Sequence, residues 1–159
     1  MQLVAVFLIL PWFFTIQGVA PLEGRGRAGS GPVRVVQRLY ADHFVHDMAF
    51  TRASVARKSR WLSPALRKDL ATWFHKPASP DQAPAINGDP FTDTQEYPKA
   101  FSVGTAILRG AVATVPVSFR VGDARRLVQV HLNRGPSGWR VSDLSYDDGS
   151  TFRRQLQRD

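Results

Sequence analysis

The chain has 159 residues, a formal net charge of +8 and no cysteine, and 43% of its residues are hydrophobic. That length suits one domain of ordinary size, and the composition excludes disordered, collagen-like and disulfide-rich classes. The lack of cysteine excludes thiolate nucleophiles, cysteine-bound zinc and iron–sulfur clusters. The sequence therefore predicts one globular domain that uses none of these groups.

Residues 3–20 form an uncharged, apolar segment. Gly18 and Ala20 have the spacing that a signal peptidase accepts, so we interpret residues 1–20 as a signal peptide and expect a periplasmic or secreted protein. The alternative is an uncleaved N-terminal membrane anchor, because the segment approaches the ~20 residues that span a bilayer. Residues 21–32 are rich in Gly and Pro and are predicted to be a flexible leader.

The first part of the predicted domain, residues 33–159, has the pattern of helices. Apolar residues recur every three or four positions over 33–48, which indicates one buried helical face. A shorter helix is expected over 51–59. The Ser-Pro pair at 63–64 is a typical helix start, and that third helix is expected to end by Pro77.

The second half of the domain has the pattern of strands, rich in Val and interrupted by Gly-containing turns. We expect four strands, at 101–109, 111–121, 125–133 and 138–146. The short connections predict antiparallel hairpins, and Ser150 is expected to cap a last helical turn. The predicted fold class is α+β, with N-terminal helices packed on a strongly curved four-stranded antiparallel sheet.

Two segments carry a family resemblance. Residues 87–96 (NGDPFTDTQE) precede the strands, and residues 138–146 (GWRVSDLSY) form the last one. Together with the order of elements, they resemble the bacterial exported proteins of the domain of unknown function 3828 family, which has the nuclear-transport-factor-2-like (cystatin-like) fold. The resemblance implies a cone-shaped sheet around a pocket that the N-terminal helices plug. It implies no particular reaction, because this fold carries both enzymes and binding proteins.

An acidic stretch separates the helices from the strands. Residues 77–98 contain four acids and no Lys or Arg, whereas residues 31–76 contain nine Lys or Arg and three Asp. One interpretation is that Asp89 and Asp93 stabilise turns through bonds from their side chains to the backbone. The other is that the stretch lies at the rim of a ligand pocket. The ligand-binding candidates in that interpretation are Asp89, Asp93, Gln95, Glu96 and Trp139.

Asp143 and Tyr146 are the only catalytic candidates. Strict alternation along the last strand puts Asp143 on the same face as Trp139 and Val141, where a partly desolvated carboxyl group suits general acid or base catalysis. Tyr146 would then donate a hydrogen bond in the same pocket. The alternative is a β-bulge that turns Asp143 outward to pair with an Arg, with Tyr146 as an ordinary core residue.

The remaining polar patterns predict no metal site and no cofactor. His43 and His46 lie near one helical face, but no acid at matching spacing completes a set of metal ligands. The positive charge comes without a nucleic-acid-binding motif. It favours weak contact with an anionic membrane surface or an acidic envelope polymer over contact with DNA.

Three functional hypotheses follow. The first is an exported, non-enzymatic domain that binds a small molecule or a protein partner in the cell envelope. The second is an isomerase- or hydrolase-type enzyme that uses Asp143 with Tyr146. The third is a basic envelope-surface protein. The basic residues expected on its exposed helical faces are Arg34, Arg38, Arg52, Arg57, Lys58, Arg60, Arg67, Lys68 and Lys76.

Overall fold

The computed structural model describes residues 31–77 and 86–158. The predicted signal peptide and nearly all of the predicted leader lie outside these residues. Within the part of the chain that the structure describes, no helix is both long enough and apolar enough to cross a membrane.

Helices and an antiparallel sheet confirm the predicted α+β class. The helical elements are α1 (Pro32–Val45), α2 (Arg52–Lys58), a 3-10 turn (Ser59–Trp61), α3 (Pro64–His75) and α4 (Phe152–Gln157). The strands are β1 (Phe101–Val103), β2 (Ile107–Arg109), β3 (Val112–Val121), β4 (Ala124–Gly135) and β5 (Gly138–Ser145). The sheet has five strands in the order β1-β3-β4-β5, with β2 also paired to β3. It therefore has one strand more than the sequence predicted.

Side-chain caps fix the starts of α2, α3 and α4. The Ser63 hydroxyl accepts from the Leu66 amide, as the Ser-Pro pair predicts. Thr51 caps α2 in a capping box with Ser54. The cap of α4 is Thr151 rather than the predicted Ser150, because the Thr151 side chain is the one that accepts from the Arg154 amide. The Ser150 hydroxyl instead lies 3.4 Å from the Gln155 side-chain amide.

Pro116 divides the predicted strand 101–109 into β1 and β2. The Pro116 carbonyl accepts from the Gly104 amide at 2.8 Å, so the main-chain groups of Pro116 face this edge of the sheet. Proline has no N–H to continue the ladder, and the pairing stops between the two short strands. β1 then pairs with the second half of β3 and β2 with the first.

One face of the sheet and the helices share a hydrophobic core. Val115, Val117 and Val130 are fully buried on the inner face. The alternation predicted for β4 is confirmed, since Val128, Val130 and Leu132 are buried. Tyr40 of α1 packs on Phe119 of β3, with 5.3 Å between the ring centroids. Helical side chains therefore occupy the space above the sheet's inner face.

The register of β5 shifts partway along the strand. His131 of β4 pairs with Asp143, but Leu132 pairs with Val141, so Ser142 is the extra residue of a β-bulge. Before the bulge Val141 is buried, and after it the buried residue is Leu144. The strict alternation that placed Asp143 beside Trp139 and Val141 is therefore wrong, and the β-bulge of the alternative prediction is present.

Candidate functional site

Asp89 organises the loop between α3 and β1. Its Oδ1 accepts from the Phe91 amide at 3.0 Å, and its Oδ2 accepts from the Thr92 hydroxyl at 2.7 Å. The same Oδ2 lies 2.7 Å from Nε2 of His43 on α1. Asp89 is 2% exposed and His43 is 0% exposed, so this pair is fully withdrawn from water. Asp89 forms a turn through its side chain, as one interpretation of the sequence predicts, and it does not line the cleft described below.

Two buried tyrosines attach the same loop to the core. Tyr40 donates to the Phe91 carbonyl at 2.7 Å, and Tyr146 donates to the Pro90 carbonyl at 2.9 Å. Burial raises the pKa of both phenols, so both remain protonated donors at neutral pH. The Phe91 side chain, 1% exposed, packs into the core between these contacts. Helix α1, the end of β5 and the loop are thereby held in one arrangement.

The loop turns back sharply around Asp89. The Asp89 amide donates to the Thr94 carbonyl at 2.8 Å, and the Asp93 amide donates to the Asp89 carbonyl at 2.9 Å. Gly88 has φ +93°, and a Cβ there would lie 2.5 Å from the Thr94 carbonyl oxygen. Asp93 has φ +56°, a left-handed conformation that Asp and Asn tolerate better than other non-glycine residues.

Beyond this turn, the loop borders a cleft of about 750 Å³. The end of β3, the start of β4 and the segment between β5 and α4 form its other walls. Three of the predicted ligand contacts line it, Asp93, Gln95 and Glu96. Asp147, Asp148 and Arg126 also line it. The cleft therefore combines four carboxylates with one guanidinium.

The carboxylates of the cleft differ in their electrostatic environments. The pKa of Asp93 is raised, mainly because burial disfavours its charged form. The positive charge of Arg126 opposes this shift, and the negative charges of Asp148 and Asp147 add to it. Asp148 is the opposite case. Hydrogen bonds from the Ser150 side chain and from the Ser150 backbone amide lower the pKa of Asp148. The backbone amide donates to Asp148 Oδ1 at 2.8 Å. A cationic group placed in the cleft would reduce the repulsion around Asp93.

Arg126, Asp147 and Asp148 line the cleft without any local sequence pattern that indicates a site. The two aspartates belong to the Asp-Asp-Gly-Ser turn after the last strand, which has the composition of an ordinary turn. Arg126 is one of seventeen arginines and has no distinguishing local pattern. Only the tertiary structure brings these residues to the acidic loop.

The two catalytic candidates both form hydrogen bonds with main-chain groups. Asp143 Oδ1 accepts from the Leu144 amide at 2.8 Å and from the Arg153 amide at 3.0 Å, so the carboxylate fastens the start of α4 to β5. The sequence suggested that Asp143 pairs with an arginine side chain. In the structure it accepts from the backbone amide of Arg153 instead. Tyr146 is a core residue whose hydroxyl already binds the Pro90 carbonyl. Trp139, predicted to contact a ligand, is 7% exposed and belongs to the core.

The two histidines of the sequence pattern and Lys58 do not form a shared site. His46 is exposed, and its Nδ1 lies 2.9 Å from the Asp42 carbonyl, whereas His43 is buried against Asp89. Lys58, expected on an exposed helical face, is 0% exposed. Its Nζ donates to the Ser54 carbonyl at 3.1 Å and lies 5.3 Å from the centre of the Phe91 ring. Burial lowers the pKa of Lys58.

Comparison with protein-family models and with curated proteins gave no match. Among solved structures, the chain is similar to a chain in the selenomethionine crystal structure of the type VI effector–immunity complex Tae3–Tai3 from Ralstonia pickettii. The TM-score is 0.53 at 21% identity, and the match covers 74% of this chain and 97% of that chain. The native crystal structure of the same complex matches with a TM-score of 0.47 at 19% identity, over 72% and 92% of the two chains. The first match shows a shared fold.

The His43–Asp89 pair predicts a large coupling between two substitutions. His43→Leu should lower the free energy of unfolding by about 3 kcal/mol or more, because it leaves the Asp89 carboxylate buried without its partner. The double variant His43→Leu/Asp89→Asn should lose at least about 1 kcal/mol less than the sum of the single variants. Urea denaturation at pH 7 measures all three, and His46→Leu is the control. Additive losses would contradict a coupled pair.

The conformation and pKa of Asp93 predict a pH-dependent gain in stability for Asp93→Asn. Because the pKa of Asp93 is raised in the folded state, its ionised form weakens folding at neutral pH, and this effect disappears as pH falls below the unfolded-state value near ~4. Asp93→Asn should therefore raise Tm at pH 7 and raise it less at pH 4. Asp93→Ala removes the same charge but should be less stable than the Asn variant by about 1 kcal/mol, because Ala disfavours φ +56°. An equal gain at both pH values would refute the electrostatic account.

Proposed function

We propose that this protein is an exported domain that binds a protein partner, and that the acidic cleft is the contact surface. The observation that carries the proposal is the position of Asp93, Glu96, Asp147 and Asp148 around one open cleft of about 750 Å³. The shared fold supports it, because the similar chain was crystallised in an effector–immunity complex, which contains two proteins. On this proposal, the present chain acts as one member of such a pair.

The charge of the cleft defines the chemistry of the partner. The chain as a whole carries +8, yet four carboxylates and one guanidinium line this cleft. A partner segment with Lys or Arg at its tip would relieve the repulsion among the acids and would be steered to the cleft by its field. The partner is therefore proposed to present a basic segment.

The rigidity of the loop favours binding of a preformed partner surface. His43, Tyr40 and Tyr146 all bond the turn that precedes Asp93. A loop that is already ordered loses little conformational entropy when a partner binds. The arrangement thus positions the turn that leads to Asp93 before any contact forms.

The enzymatic hypothesis gains no support from its candidate residues. Asp143 Oδ1 accepts from two backbone amides, and the Tyr146 hydroxyl donates to a backbone carbonyl. A small ligand with a cationic group is the alternative occupant of the acidic cleft, and the experiment below distinguishes it from a protein.

Crosslinking at the cleft tests partner binding. A photoreactive amino acid replaces Gln95 in the full-length protein in its host, and the control position is Gln37 on the exposed face of α1. We expect a crosslinked protein from position 95 and none from position 37. The double variant Glu96→Gln/Asp147→Asn should then weaken binding of the identified protein roughly tenfold and reduce the salt dependence of association.

Asp123→Asn is the matched control for that variant, because Asp123 is also exposed but does not line the cleft. Its affinity should stay within about twofold of the parent. Equal losses for the control and the cleft variant would contradict the proposed surface. A crosslink from position 37 alone would do the same, and a cleft occupied only by a small cationic molecule would show no crosslinked protein.

Export is a separate part of the proposal. It rests on the apolar residues 1–20 and on the resemblance to bacterial exported proteins. Mass spectrometry of the protein from a periplasmic or culture-medium fraction should find a mature chain that begins at residue 21 or later. An intact Met1 in that fraction would contradict cleavage, and recovery in the membrane fraction with Met1 present would establish the anchor instead.

A further inference from the structure

A second pocket, of about 310 Å³, has the opposite charge. It lies where the 3-10 turn, the start of α3 and the β4–β5 turn meet. Arg60, Arg67 and Arg140 line it, together with the serines Ser59 and Ser137. No acid is found among the described residues that line this pocket. Three arginines therefore contribute to the lining of one concave surface.

The fold holds this surface together through the edge of the sheet. The Ser63 amide donates to the Val141 carbonyl at 2.8 Å, and Leu62 forms a parallel bridge with Val141. These contacts fix the first turn of α3, which carries Arg67, beside the strand residue Arg140. The pocket is thus built from segments that are distant in sequence and joined by main-chain hydrogen bonds.

Two of the three guanidinium groups have defined positions. Arg140 Nη1 donates to the Trp139 carbonyl at 2.8 Å. The Arg60 guanidinium carbon lies 4.1 Å from the centre of the Trp61 ring, in cation–π contact. Neither contact neutralises the charge, and both leave guanidinium N–H groups to donate to a ligand.

The neighbouring acids compensate these charges weakly. Nη2 of Arg60 lies 3.7 Å from Asp42 Oδ1 and forms an ion pair with it, but the Arg60 side chain is 69% exposed, so water screens this pair. The acid of α3, Asp69, is bonded to Arg153 at 2.6 Å instead. The first turn of α3 contains no acid, so the positive end of the helix dipole adds to the field of the arginines. The pocket therefore has an excess of positive charge.

We propose that this pocket binds a phosphoryl group, carried by a small soluble compound or by a lipid headgroup. Arginine guanidinium groups donate in pairs to phosphate oxygens, and serine hydroxyls supply further donors. A volume near 310 Å³ is at the lower end of small-molecule sites, so it suits one phosphorylated group. This inference is independent of the acidic cleft, because it involves different elements and a ligand of opposite charge.

Titration of the full-length protein with glycerol 3-phosphate at low salt tests the pocket. Arg67→Gln and Arg140→Gln should each weaken binding about tenfold, because each removes a charged pair of hydrogen bonds. Lys68→Gln is the matched control. Lys68 is the next residue of the same helix, is exposed, carries the same charge and does not line the pocket. Its effect should be less than twofold. Arg67→Lys should also weaken binding, because an ammonium group cannot make the paired contact.

Vesicles distinguish the two sources of the phosphoryl group. The protein is sedimented with two kinds of vesicle. One contains phosphatidylcholine alone, and in the other about one lipid in three is phosphatidylglycerol. Extra binding to the phosphatidylglycerol vesicles that Arg67→Gln abolishes and Lys68→Gln keeps would assign the headgroup. Binding of glycerol 3-phosphate, without extra binding to the phosphatidylglycerol vesicles, would identify the ligand as a soluble phosphorylated compound.

The proposal is overturned in two ways. One is binding of neither probe at low salt by protein whose circular dichroism shows it folded. The other is an equal loss for Arg67→Gln and Lys68→Gln, which would show a diffuse charge effect without a pocket. Arg140→Gln decides the matter if Arg67→Gln does not fold, because it removes a second guanidinium of the same pocket from a different element.

Discussion

The burial of the Asp89 carboxylate is the constraint on which the arrangement of the loop depends. A carboxylate at 2% exposure needs partners for its oxygens, and here the Phe91 amide, the Thr92 hydroxyl and the His43 ring supply them. Because one of these partners is on α1 and the others are in the loop itself, satisfying the charge also fixes the loop to the helix. Tyr40 and Tyr146 add bonds to two loop carbonyls from the core.

This constraint places the acidic side chains of the cleft. The turn around Asp89 ends at Asp93, which has a left-handed conformation and lines the cleft. Residues 77–98 of this loop contain no Lys or Arg that could neutralise its acids. Acidic and basic groups therefore remain separated on a protein of net charge +8, with acids around the cleft and arginines around the pocket at the start of α3. Such a separation allows one domain to meet two partners of opposite charge.

The sequence predicted local features where a single element determines the outcome. The Ser63-Pro64 start of α3 was correct, because a cap and a proline act within one helical turn. The buried face of β4 was correct for the same reason, since alternation is a property of one strand. Errors arose where a neighbouring strand decides the structure. Pro116 divided the edge strand, and the bulge at Ser142 moved Asp143 to the other face.

Composition and periodicity alone were enough to determine the α+β class, the hairpin order of the long strands and the concentration of acids before them, because these depend on residues close together in the chain. The pairing of His43 with Asp89, the entry of Asp147 and Asp148 into the cleft and the meeting of Arg67 with Arg140 were decided only by the tertiary structure. Each joins residues far apart in sequence, and main-chain register and core packing bring them together. No local pattern records a contact of that kind, since the same residue types are common on solvent-exposed surfaces.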